Sequence, residues 1–180
     1  EACENSLRRL GTDRIDLYFL HMDNPEVPVE PIVEALVAHQ EAGRIRHFAA
    51  SNWAAARSRA ANAHAAAIGK QGFAASETFW GLAVPDVAAA AQQGYQRYYE
   101  GEYESLHAEG LPFLAYAAQS GGYFTKRASG DPIREDVAAR YANPANDARF
   151  AAVQALAQAK GVSINAVVLA YLVCQPHQTI

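Results

Sequence analysis

The sequence predicts an α/β protein, a parallel sheet whose strands alternate with helices, with the (β/α)8 (TIM) barrel as its architecture. Three observations carry this. Four short apolar runs recur at a spacing that leaves a helical segment between each pair, the texture of right-handed βαβ units. No Gly-x-Gly-x-x-Gly turn follows the first run, as a doubly wound dinucleotide-binding sheet requires; Ser120-Gly121-Gly122 is a weak echo at the wrong end. Polar residues, namely His21, Ser51, Asn52, Glu77 and Tyr116, stand at the carboxyl ends of successive runs, where barrel closure gathers them at one mouth. A complete barrel takes roughly 250 residues, so the 180 present would be its middle and later part.

Each element has a local reason. Residues 1–10 have helical texture, with Leu7 and Leu10 on one face, and no capping residue or disordered tail before them. Residues 15–21 are an apolar run between Gly11-Thr12-Asp13 and Pro25, which reads as a strand buried on both faces and ending on His21. Residues 28–42 open on prolines suited to a first turn, set Ile32, Val33, Leu36 and Val37 on one side, and close on Gly43 as a left-handed cap. A second strand spans 44–50, ending at Ser51-Asn52. An alanine-rich helix follows over 53–68, with Ser51-Asn52 as one reading of its N-cap and Gly69 as its end.

A weaker strand is expected over 73–79, and 84–94 fits no clear pattern. Tyr95, Tyr99, Tyr103 and Leu106 have helical spacing across 95–109, ahead of Gly110. A fourth strand covers 111–117. Helices are then expected from Asp131-Pro132 to about Tyr141, over 146–160, and over 163–173 with Ser163 as N-cap. Residues 175–180 look like a loop leading into a further apolar strand. The two ends suggest a piece of a longer protein, read here as one domain over 1–180.

Composition narrows the function. With 51% hydrophobic and 19% charged residues the chain is ordinary for a globular domain, and a net charge of -4 with scattered basic residues argues against nucleic acid or an acidic membrane surface as partner. Cys3 and Cys174 match no metal-ligand spacing, and His39, His47, His64, His107 and His177 share none, so no metal site is expected. No apolar run nears the ~20 residues of a membrane span, and no signal layout opens the chain, so a cytoplasmic location is expected.

The motifs resemble one family. Leu10-Gly11-Thr12-Asp13 followed by a run ending in Leu20-His21 is similar to the aldo-keto reductases. The spacing on to Gly43-Arg44-Ile45-Arg46 and Ser51-Asn52 fits, as do Ala115-Tyr116 before Gly121-Gly122-Tyr123 and Leu169-Ala170-Tyr171-Leu172 before Gln175-Pro176. On this resemblance the chain covers about strands 4 to 7 of the barrel. It implies hydride transfer between a nicotinamide cofactor, usually NADPH with NADH the alternative, and a small aldehyde or ketone. His21 corresponds to the histidine that orients and polarises the carbonyl. Ser51 and Asn52 correspond to the pair that binds the nicotinamide carboxamide. Tyr116 corresponds to the ring on which the nicotinamide stacks; Gln119 and the glycines after it lie along the cofactor; Met22 borders the substrate.

The sequence also departs from the family pattern. A glutamine usually stands on the third strand as a further carboxamide partner; Ser76 or Glu77 occupies that place, Glu77 being the closer isostere, and an ionised carboxylate only accepts hydrogen bonds. The tyrosine, aspartate and lysine of the catalytic set would precede residue 1, and the strand and helix holding the adenosine phosphate would follow Ile180. The 180 residues alone are therefore expected to be inactive. The second reading is a non-catalytic nicotinamide-nucleotide-binding protein or a subunit that depends on a partner.

Overall fold

The structure, a computed structural model, describes residues 1–95, 98–100 and 102–180. Among the described residues four strands and nine α-helices alternate: α1 Ala2–Leu10, β1 Ile15–Leu20, α2 Val29–Glu41, β2 Ile45–Ser51, α3 Ala55–Ala67, β3 Ser76–Phe79, α4 Val87–Gln92, α5 Glu104–Ala108, β4 Phe113–Tyr116, α6 Tyr123–Ser129, α7 Glu135–Tyr141, α8 Pro144–Lys160 and α9 Ile164–Val173. The strands form one sheet in the order β1-β2-β3-β4. β1 pairs parallel with β2, Leu20 opposite Ala50, and β2 pairs parallel with β3, Ser51 opposite Glu77. Parallel neighbours in chain order are what helical crossovers produce. The chain divides into two compact units, Glu1–Glu77 with Glu102–Pro112 and Thr78–Gly101 with Phe113–Ile180.

In the first unit, Cys3 and Leu7 of α1, Val33, Leu36 and Val37 of α2, Ile45 and Phe48 of β2, Trp53 just ahead of α3, Ala61 and Ala65 of α3, and Phe73 form one core. Gly43 and Gly69 follow α2 and α3 with φ of 73° and 69°, the left-handed turn that glycine adopts without a Cβ penalty. β1 is not buried on both faces. Tyr18 and Leu20 pack on the core, but Leu17, which alternates to the other face, is exposed. The strand also ends one residue early, leaving His21 just beyond it.

α3 begins at Ala55, not at residue 53, and Ser51-Asn52 do not cap it: the N-cap is Ala54, and the Ala55 N–H is taken by the Glu102 carboxylate at 3.0 Å. A residue 47 positions along the chain thus satisfies a donor that local sequence leaves open.

The second unit gathers Phe79, Ala83, Tyr123, Phe124, Val137, Tyr141, Val153 and Val168. Its hub is Asn146, fully buried, which accepts from Val84 N at 2.9 Å and donates to Val84 O and Tyr141 O, each at 2.8 Å. Asn143 caps α8 through Asn146 N, and Ser163 caps α9 through Ala166 N as its position predicts. The pattern-poor stretch 84–94 contains α4, capped by Asp86.

The helix expected over 95–109 runs partly through residues 96, 97 and 101, which lie outside the described residues. Of the rest, only Glu104–Ala108 is helical; Tyr98 instead bridges to Phe79, and Tyr99 stacks on Trp80 at 3.8 Å, so ring packing overrides the helical spacing. The helix expected from Asp131-Pro132 starts at Glu135, and α6 is an element the sequence pattern does not reveal, because it follows a glycine turn with no side-chain cap. At the end of the chain Thr179 pairs parallel with Phe113, the strand start that 175–180 predicts. No single helix among the described residues is long and apolar enough to cross a membrane.

Candidate functional site

Strand alternation decides which side chains meet. In a parallel pair the residues in register point to the same face. Ser51 lies opposite Glu77, so these two share a face and Ser76 takes the other, where its buried hydroxyl has no hydrogen-bond partner among the described residues. Ser51 Oγ donates to Glu77 Oε2 at 2.8 Å.

The residue after the strand closes the arrangement. Asn52 has φ of 60°, a left-handed conformation that asparagine tolerates better than most residues. Its backbone N–H donates to Glu77 O at 3.1 Å, and its Nδ2 donates to Ser51 Oγ at 3.0 Å and to His21 O at 3.2 Å. Four of the sequence-selected residues from three adjacent strand ends are thus joined: His21 by its backbone carbonyl, and Asn52, Ser51 and Glu77 by their side chains. Ser51 and Asn52 are buried, Glu77 is half-buried, and the His21 and Met22 side chains are exposed.

Sequence reasoning missed the group that holds the loop after His21. Arg57 of α3 lies 2.6 Å from Asp23 Oδ2, donates to the carbonyls of Asn24 and Val27 at 3.3 Å and 3.0 Å, and stands 5.2 Å over the Trp53 ring. Asp23, read locally as a turn acid, therefore has its partner on another element. The available signal was an arginine one and a half turns after Ser51-Asn52 on a helix otherwise rich in alanine.

Tyr116 and Gln119 belong to the second unit. Tyr116 ends β4, and its ring stacks near Phe79 at 5.8 Å and Tyr95 at 6.2 Å. The Arg140 guanidinium, almost fully buried, covers Tyr95 at 4.1 Å. Gln119 is exposed, and its carbonyl accepts from Gly122 N at 2.9 Å, closing a turn in which Ser120, Gly121 and Gly122 all have positive φ. Burial, reinforced by Glu100, pushes the Tyr98 phenol well above its ordinary range, and burial likewise raises Tyr141. Both phenols stay protonated near neutrality. Among the described residues no three His, Cys, Asp or Glu side chains are grouped to hold a metal ion.

The Aldo/keto reductase family pattern matches residues 1–180, the whole chain. The chain belongs to the aldo-keto reductase family. Among its relatives, Aldo-keto reductase YhdN of Bacillus subtilis is 47% identical over 53 residues, 29% of this chain and 16% of that protein. Aldo-keto reductase yakc of Schizosaccharomyces pombe, whose name specifies NADP(+), is 46% identical over 55 residues, 31% of this chain and 16% of that protein. Two solved aldo-keto reductases share the fold. The thermostable Tm1743, solved with the inhibitor epalrestat, superposes with a TM-score of 0.65 at 20% identity, over 99% of this chain and 52% of that one. The enzyme of Klebsiella pneumoniae, solved with NADP and acetate, gives 0.63 at 23% identity, over 99% and 52%. These neighbours are (β/α)8 barrels, and the chain spans about half their length, as the four-stranded parallel sheet of an α/β chain.

Proposed function

We propose that this chain supplies the carboxamide site and the carbonyl-orienting histidine of an NAD(P)H-dependent reductase of aldehydes or ketones. The catalytic tyrosine, aspartate and lysine would be contributed from outside residues 1–180. The observation that carries the proposal is the hydrogen-bonded relay from His21 through Asn52 and Ser51 to Glu77, placed at the carboxyl ends of parallel strands in a chain of this family. Solved relatives hold NADP or NADPH, and both fit the family's chemistry.

The donor set suits a nicotinamide carboxamide. Asn52 Nδ2 spends both protons on His21 O and Ser51 Oγ, and Ser51 spends its own on Glu77, so the relay presents acceptors. Ser51 occupies only Oε2 of Glu77, and the other oxygen, Oε1, is the acceptor assigned here to the amide N–H. When bound, the reduced cofactor supplies the hydride. Asn52 fixes the His21 backbone, and the exposed imidazole is free to donate to the substrate carbonyl, stabilising negative charge as it develops on oxygen. Met22 beside it borders the substrate, and Tyr116 and Gln119 of the second unit are the residues that the family resemblance assigns to the cofactor.

The test is carbonyl-dependent NADPH oxidation by the intact protein, alone and as His21→Ala. The variant should lose about 100-fold or more in kcat/KM while its Kd for NADPH stays within about twofold of wild type. Binding of NADPH without turnover of any aldehyde or ketone would favour the non-catalytic reading. Equal kcat/KM in the variant would remove His21 from the chemistry.

A further inference from the structure

The relay at Glu77 runs one way. An amide nitrogen only donates, so Asn52 Nδ2 sends protons to His21 O and Ser51 Oγ, and the hydroxyl, having accepted, turns its proton to Glu77 Oε2. The relay therefore ends on an acceptor, a place a carboxylate fills with both oxygens. Ser51 and Asn52 are 1% and 5% exposed, so the polar groups beside Glu77 are shielded from water. No Lys or Arg among the described residues lies within ion-pair distance of Glu77, and Arg57, on the neighbouring helix, is paired with Asp23. At the carboxamide position of the reading above, on which this inference rests, the structure thus sets a carboxylate that no described lysine or arginine pairs with.

A nicotinamide ring carries a positive charge when oxidised and none when reduced. We propose that Glu77 makes this site discriminate between redox states: its carboxylate stabilises the pyridinium of NADP+ and gives NADPH no equivalent gain. Both forms share the amide hydrogen bond, so the difference is electrostatic. NADP+ then binds more tightly and leaves more slowly than it would from a site with a neutral amide at this position.

The test is direct titration of the intact protein with NADP+ and with NADPH, as wild type, Glu77→Gln and Glu77→Asp. Gln keeps an acceptor for Ser51 but loses the charge. Its ratio of Kd for NADPH to Kd for NADP+ should fall roughly tenfold, the effect of one unit charge a few ångströms away at a partly exposed site. Asp, shorter but charged, should keep the wild-type ratio even where both affinities weaken. An unchanged ratio in Glu77→Gln, with both nucleotides bound, would overturn the proposal and leave the cofactor reading intact. Failure of wild type to bind either nucleotide would overturn both. Should Glu77→Gln not fold, Glu77→Asp against Glu77→Asn makes the same comparison.

Discussion

The polar end of the first unit and the aromatic end of the second are built by opposite means. In the first, His21, Ser51, Asn52 and Glu77 meet because neighbouring parallel strands are in register, and each contact is a directed hydrogen bond. In the second, Tyr116 is placed by ring packing against Phe79 and Tyr95, with Arg140 over Tyr95, and Tyr95 comes from a loop. Register is local and periodic, so a motif at a strand end foretells it. Ring packing depends on where a distant loop folds back.

If the second unit depends on a loop fixed from afar, its anchoring residue should matter most. Asn146→Ala would strip partners from Val84 N and Tyr141 O inside a fully buried site, while Val84 O keeps its hydrogen bond from Asn143 Nδ2. A loss of about 3 kcal/mol is expected, since each buried unpaired group costs ~1–3 kcal/mol. Denaturant unfolding measures it, and a loss below about 1 kcal/mol would show that the loop holds itself.

The first unit should respond to backbone conformation as well as to side chains. Asn52→Gly removes two side-chain hydrogen bonds but keeps φ of 60° accessible; Asn52→Ala removes the same bonds and adds left-handed strain. Ala should be less stable than Gly by about 1 kcal/mol. Equal stability would mean that the turn relaxes and that Asn52 is not conformationally selected.

These two cases also show how far the sequence could be read. Ser51-Asn52 and His21 stood out because strand ends of an α/β protein collect polar residues, and register then joined them to Glu77. The choice between Ser76 and Glu77 was open in one dimension; it became a matter of facing only once Ser51 and Glu77 were paired. The Arg57–Asp23 pair and the Glu102 cap on α3 were invisible, because each joins residues 34 or 47 positions apart with no periodic signal. Tyr95, Tyr99 and Tyr103 had the spacing of a helix, yet Tyr99 stacks on Trp80 and Tyr95 packs beside Phe79.

The smallest expected effect lies away from both ends. Burial, and the nearby Arg44, hold the His39 imidazole below its ordinary value, and Arg44 Nε donates to His39 Nδ1 at 2.7 Å. The unfolded chain takes up this proton more readily than the folded one. The contribution is therefore whole above the ordinary imidazole value, about 6.5, and declines as pH falls below it towards the lowered folded value. Between about pH 7 and 5.5 the wild-type unfolding midpoint should drop more than that of His39→Gln, whose amide oxygen still accepts from Arg44. Parallel curves would contradict this.

The reading of the Ser51–Asn52–Glu77 relay as a nicotinamide carboxamide site has a single decisive consequence for where the cofactor lies. A crystal structure of the intact protein with NADP+ tests it most directly. The carboxamide nitrogen should lie within hydrogen-bond distance of Glu77, with the relay among Asn52, Ser51 and Glu77 kept. A nucleotide bound with its carboxamide away from all three side chains would contradict it.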